Sequence, residues 1–293
     1  MKKLVKVGAV ELCVETFGEA EAAPVLLIHG AAASMDFWED AFCERLAAGP
    51  RFVIRYDHRD TGQSTHDPAG APSYSGHDLV ADAIGILDAL GIEKAHIVGV
   101  SMGGGLAQRL VLDHPERVRT VTFVSTSPGG PGGPSNPDLP PMSEALQAAF
   151  SEEAEPTDWS DREAALQALI DAERLFAGSL PYDEPARRAL YAKMVDRTAD
   201  LAAAMTNHWI LDGGEPIRHR LGEIAVPALV MHGTEDPLFP IGHGEALARE
   251  VPGARLVPLP GAGHEQPEQV WDVMITAILE LTDDAGEGLT GEG

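Results

Sequence analysis

Cysteine, aromatic side chains and positive charge are all scarce in this sequence. Its 293 residues include only Cys13 and Cys43, which is too few for a disulfide framework. Both lie in apolar settings, one in an expected strand and one in an expected helix, as reduced core thiols do. Against 46 acidic side chains stand 21 basic ones, a formal net charge of −25. Such a field repels phosphate backbones and anionic lipid, so neither nucleic acid nor a membrane surface is an expected partner. It would favour a cationic ligand, but the plainer reading is a strongly hydrated surface. Long hydrophobic runs are missing too. The start, Met1-Lys2-Lys3, is positive, yet the apolar stretch after it is broken by Lys6 and then Glu11. With no signal-peptide core and no bilayer-length segment, a cytoplasmic location is the expectation. Metal-ligand spacing such as H-E-x-x-H is absent, so no metal site is expected. The Gly-rich stretch 129–133 lacks the Lys-Ser/Thr ending of a phosphate loop and reads as a hinge.

What is present is an apolar fraction of 44%, enough for a full core. Residues 10–17 alternate as a strand, and 24–28 form a continuous apolar run ending in His29-Gly30. A helical stretch near 36–48, a strand at 52–56 closing on Asp57, and a helix over 77–90 follow. Next come a strand at 95–100, a helix at 102–113 and a strand at 118–125. This alternation implies an α/β fold, a mostly parallel sheet with helices on both faces. The pattern breaks at Ser127, where a Gly/Pro cluster spans 127–141. Residues 143–222 then read as amphipathic helices with no strand between them. Alternation resumes at 226–232, with a helix at 243–250, a strand at 254–259 and a helix at 268–281. The expected organisation is a core of 1–126 and 223–282, a helical cap or lid at 127–222, and an acidic, Gly-rich disordered tail at 283–293.

Gly99-Val100-Ser101-Met102-Gly103 fits G-x-S-x-G, a strand-to-helix turn that lifts a serine above a sheet. The bare pattern arises by chance, but here it follows an apolar strand and opens a helix, as the turn requires. A serine hydroxyl is a poor nucleophile and needs a base within hydrogen-bond reach, itself oriented by an acid. Of 11 histidines, His264 stands out, in Gly261-Ala262-Gly263-His264, a turn after a strand and before the last helix. His96 lies within a strand, His114 ends a helix, and His58, His66 and His77 fall near one early loop. Asp236 follows the 226–232 strand at the same sheet edge. Glu235 competes one residue away, but the shorter side chain before Pro237 suits an acid held at a turn. Ser101, Asp236 and His264 are therefore the expected catalytic residues. The N–H groups of Met102 and of Ala31, after His29-Gly30, are the expected oxyanion donors. His29 reads as a structural hydrogen-bonding group. Trp38, Met205, Trp209 and Phe239 are candidate substrate-binding walls, Phe239 foremost because Leu238-Phe239-Pro240 follows the acid loop.

His29-Gly30, the loop Asp57 to Ser64, the GVSMGG elbow, HGTEDP and GAGH together resemble the α/β-hydrolase superfamily across the whole core. The loop RYDHRDTGQS, with Asp60 where many relatives carry Gly, most resembles the bacterial methylesterase branch typified by aclacinomycin methylesterase. The resemblance implies hydrolysis of a small-molecule carboxylic ester, methyl, other small alkyl or lactone, with no metal or organic cofactor. Branches of this fold with an aspartate nucleophile are argued against by Ser101. Rival expectations are a carbon–carbon bond hydrolase or a cofactor-free perhydrolase using the same three residues, and a small-molecule receptor that keeps the fold without turnover.

Overall fold

The apolar runs of the sequence become the middle of an eight-stranded sheet. The computed structural model describes residues 1–129, 136–151 and 157–287, the side chains of 284–287 excepted. Strand β3 (Ala23–Ile28) pairs in parallel with both β4 (Arg51–Tyr56) and β5 (Ala95–Val100). Beyond β5 lie β6 (Val118–Val124), β7 (Ala228–Gly233) and β8 (Arg255–Leu259), all parallel. The other flank carries β2 (Val10–Phe17), antiparallel to β4, and then β1 (Lys2–Val7), antiparallel to β2. The order is β1-β2-β4-β3-β5-β6-β7-β8. Every residue of β5 and β7 is buried, which is why these strands read as unbroken apolar runs. β1 is an edge strand exposed on most positions and carries Lys2, Lys3 and Lys6, so no apolar pattern announced it.

Helices cover both faces. On one, Leu79 and Leu87 of α2 (Gly76–Ala89), Leu110 of α3 (Met102–Asp113) and Leu247 of α8 (Gly242–Glu250) share a core with β3, β5 and β6. On the other, Phe42 and Leu46 of α1 (Asp40–Ala47) meet Met274 and Ile278 of α9 (Trp271–Glu287). Between β6 and β7 the described residues contain only helices: α4 (Glu144–Ser151), α5 (Arg162–Phe176), α6 (Glu184–Arg197), α7 (Leu201–Thr206) and short 3-10 turns. α5, α6 and α7 have their own small core around Leu166, Ile170, Met194 and Leu201. Cys13 in β2 and Cys43 in α1 are free and buried, and burial raises their thiols to about 11 and about 12.

One expectation changes. The last helix does not stop near 281: α9 runs to Glu287, through the first part of the expected disordered tail. Arg51 is the reason, since its guanidinium pairs with Asp283 and its Nε donates to Thr282 Oγ1 at 2.9 Å, holding that turn on β4. Residues 288–293, and 130–135 of the expected Gly/Pro hinge, lie outside the described residues. No helix among the described residues is long and apolar enough to cross a membrane.

Candidate active site

All six parallel strands from β3 to β8 end at one rim, so the loops after them converge, as ligand-binding loops of open α/β sheets do. Ser101 joins β5 to α3 with φ 54° and ψ −118°, a conformation that non-glycine residues avoid and that only a surrounding structure can enforce. The flanking glycines are steric necessities. A Cβ on Gly99 would stand 2.2 Å from Gly103 O, and one on Gly103 would stand 2.4 Å from Ile28 O. Ser101 N–H donates to Val124 O at 2.9 Å, and Thr126 Oγ1 donates to Ser101 O at 2.8 Å, which ties the turn to the end of β6.

The structure brings Ser101, His264 and Asp236 together from three loops. Ser101 Oγ lies 3.0 Å from His264 Nε2, and His264 Nδ1 lies 2.8 Å from Asp236 Oδ2. A carboxylate only accepts, so Nδ1 carries the proton and Nε2 is left to accept from the serine hydroxyl. Burial alone would raise the Asp236 carboxyl. The facing His264 and the Phe239 N–H outweigh it, and the group is held below the ordinary carboxylate range. Its Oδ1 accepts from both Leu238 and Phe239 N–H at 2.9 Å, the turn geometry expected of an acid just before proline. Glu235 is exposed and accepts instead from Ser179 Oγ at 2.9 Å. An imidazole bridging a hydroxyl and a buried carboxylate can take the hydroxyl proton and hand it to a leaving group.

The loop after β3 runs beside the serine: a Cβ on Gly30 would lie 3.3 Å from Ser101 Cβ. Its backbone donors are sorted by imidazoles. Gly30 N–H donates to His29 Nδ1 at 2.7 Å, and Ala32 N–H donates to His208 Nδ1 at 3.0 Å. Ala31 N–H, between them, has no partner among the described residues, and neither has Met102 N–H at the first turn of α3. Burial pulls the imidazole of His29 down to about 3 and that of His208 to about 4, so both stay neutral and able to accept. His29 thus has the structural role expected of it.

Around this centre, Phe239 is buried and its ring stands edge-on to His264 at 5.6 Å. Phe176, which the sequence did not single out, faces the same imidazole at 5.9 Å. The other wall candidates have varied settings, and Trp38 also meets the His29 ring edge-on at 6.0 Å, beside the Gly30 loop. Trp38 is 4% exposed and packs on Phe42 in the α1–α9 core, Met205 packs on the core of α5 to α7, and Trp209 is 60% exposed. A cavity of about 110 Å³ opens beside Met102, lined by Leu79, Leu106, Leu211 and Ile217, with Arg109 and His208 at its wall.

Two further groups escaped sequence reading. Arg197 of α6 reaches the fully buried Asp36 and Asp57, with Nε 2.7 Å from Asp36 Oδ2 and Nη1 2.6 Å from Asp57 Oδ2. Asp57 Oδ1 in turn accepts from Met35 N–H at 2.9 Å, at the far end of the Gly30 loop. Asn207 donates to Asp60 Oδ2 at 2.8 Å, and Tyr74 OH donates to the same oxygen at 2.6 Å. Asp60 has φ 68°, a left-handed conformation that favours glycine. The only signal for it in the sequence was Asp60 itself, in the loop RYDHRDTGQS.

A mostly parallel sheet in this order, a half-buried, strained serine at its rim and an imidazole–carboxylate pair facing it define an α/β-hydrolase. Residues 23–269 match the family described as alpha/beta hydrolase fold, and the chain belongs to that family. It is 33% identical to rhodomycin D methylesterase DauP of Streptomyces sp. (strain C5), over 96% of this chain and 97% of that protein. It is 32% identical to 2-hydroxymuconate semialdehyde hydrolase of Pseudomonas putida, over 84% of this chain and 82% of that protein. Among solved structures, the meta-cleavage product hydrolase of Pseudomonas fluorescens IP01 superimposes with a TM-score of 0.73 at 26% identity, covering 97% of this chain and 98% of that one.

Proposed function

We propose that this protein is a serine hydrolase that cleaves a methyl or other small alkyl ester through an acyl-enzyme. The observation that carries the reading is the continuous path from Ser101 Oγ through His264 to Asp236, with contacts of 3.0 and 2.8 Å. Ser101 Oγ attacks the ester carbonyl carbon as its proton passes to His264 Nε2. The C–O bond to the alkoxide then breaks, and the alkoxide leaves with that proton. Water next gives a proton to His264 and adds to the acyl carbon, and collapse frees the carboxylic acid and restores the serine. Ala31 and Met102 N–H groups stabilise the negative oxygen formed in each half. The helices between β6 and β7 act as the cap over this rim, with Phe176 and Phe239 flanking the imidazole. The similarity to a methylesterase over nearly the full chain supports the ester reading.

The test is an ester panel on the purified protein, with Ser101→Ala beside it. Turnover should fall by roughly 10⁴-fold or more in the variant, whose fold survives, because members of such a unit are individually indispensable. Equal turnover in the two proteins ends the proposal. The similarity to a semialdehyde hydrolase favours one alternative, cleavage of a carbon–carbon bond next to a carbonyl by the same residues. Preference for β-diketones over esters in that panel would select it.

A further inference from the structure

We infer that His208, a residue of the helical segment and not of the core, is the positioning residue of the oxyanion loop. The inference rests on the reading of Ala31 N–H as an oxyanion donor. An amide can stabilise a developing negative oxygen only if its own backbone gives it no other acceptor and if the loop is held before the charge forms. The loop from Gly30 to Met35 meets both conditions by having neighbouring donors occupied. His208 accepts from Ala32 N–H at 3.0 Å, directly after Ala31. Ala32 itself has φ 59°, strained for an alanine, so this amide needs a fixed partner to stay where it is. Without that acceptor, the Ala31–Ala32 peptide would be free to relax toward an ordinary conformation and carry the Ala31 N–H with it.

The imidazole is well placed for the task. His208 is 6% exposed, and its Nε2–H donates to Arg59 O at 2.9 Å, which fixes the ring plane and leaves Nδ1 as the acceptor. Asn207 next to it is fully buried, donates to Asp60 and accepts from Gly70 N–H at 2.7 Å. The ring of His58 meets it edge-on at 5.8 Å. His208 therefore belongs to a rigid buried knot that joins the helical segment to the loops after β3 and β4. The consequence is functional: the segment that covers the site also sets the geometry of one oxyanion donor.

The decisive comparison is among His208→Asn, His208→Gln and His208→Ala in the full-length enzyme. Asparagine returns an acceptor close to where Nδ1 stood, whereas glutamine carries its amide out to the Nε2 position. The expected result is a fall in kcat of about 10- to 100-fold for Ala and Gln with KM changed less than about 3-fold, below the roughly 10²- to 10³-fold loss for deleting a donor outright. Asn should stay within about 5-fold of the parent. Affinity for an arylboronic acid, which forms a tetrahedral adduct on Ser101, should fall in step with kcat/KM, while affinity for the product acid should not. A purely structural role would instead lower thermal stability in all variants and leave kcat of the folded protein unchanged. If His208→Ala does not fold, the Asn and Gln pair still decides, since each keeps one of the two hydrogen bonds. Asn and Gln equally impaired, or Ala with unchanged kcat, overturns the inference. Parent enzyme with no ester turnover and no fluorophosphonate labelling of Ser101 would instead remove the function on which it rests.

Discussion

The loops on either side of Ser101 are both clamped by the helical segment, but by different chemistry. The loop from Gly30 to Asp36 is held by side chains that titrate or carry charge: His29, His208, and Arg197 with its two carboxylates. The loop from Gly261 to Glu265 is held mostly by backbone. His264 N–H donates to Phe176 O at 2.8 Å, and Ser179 and Leu180 N–H both donate to Gly261 O, at 3.0 and 3.2 Å. The first clamp should answer to pH and to single side-chain changes, because its strength lies in groups whose state can alter. The second should be much less sensitive to both, since its ties are mainly amide to amide, with Glu265, whose carboxylate accepts from Gly178 N–H at 3.1 Å, adding a titrating group.

The harshest way to break this contrast is Arg197→Met. Asp36 and Asp57 are completely buried, and burial would push the Asp36 carboxyl up were it not for the guanidinium, which holds it below its ordinary range. Removing the cation leaves Asp57 without an ion-pair partner and Asp36 with only the half-exposed Lys193, 3.2 Å away, and losing one partner of a buried ion pair costs about 3–5 kcal/mol. Urea denaturation of Arg197→Met should show that loss, with activity falling as Met35 and the Gly30 loop lose their anchor. A cost under about 1 kcal/mol would mean that the ion pair is not what holds the loop.

Next in size is the response to acid. His58 and His208 are lowered by burial to about 4 and His29 to about 3, from an ordinary 6.5. The unfolded chain takes up protons below pH 6.5 that the folded chain refuses, so stability should fall as pH drops from about 6.5 toward 4 and, through His29, on to about 3 before it levels for this set. At pH 5 the linkage amounts to roughly 1–2 kcal/mol for each such imidazole. Urea midpoints at pH 7.5 and 5.0 measure it directly. His208→Asn, which cannot protonate, should flatten the slope by up to one proton. An unchanged midpoint across that interval would show that these rings are not held neutral.

The same contrast explains what the sequence could and could not disclose. Ser101, Asp236 and His264 were legible because each sits in a short loop whose neighbours, Gly99, Gly103, Pro237 and Gly263, report a local backbone demand. Ala31 was singled out as the residue after a strand-ending glycine, and its N–H has no partner among the described residues. His208, Asn207 and Arg197 were not, because their partners lie 176, 147 and 161 residues away in Ala32, Asp60 and Asp36, and nothing around them marks a polar residue turned inward. Trp38, Met205 and Trp209 illustrate how little the sequence says of an apolar side chain's surroundings, one being buried, one half-buried and one exposed. A large apolar side chain in a helix looks the same in sequence whether it lines a pocket, fills a core or faces water. β1 and the last turns of α9 were missed for a third reason, since an exposed edge strand and a helix end fixed by one distant arginine leave no periodicity of their own.

The smallest expected effect sits on the backbone clamp. Ser179 is exposed, and its hydroxyl donates to Glu235 at 2.9 Å while its N–H holds Gly261 O. Ser179→Ala removes only the exposed bond, so stability should change by less than about 0.5 kcal/mol and kcat by less than 2-fold. Ser179→Pro keeps the surface position but deletes the N–H and should lower kcat far more, because the loop bearing His264 loses a tie that no side chain replaces. If alanine hurt as much as proline, the clamp on the histidine loop would be a side-chain device after all, and the two sides of Ser101 would not differ in kind.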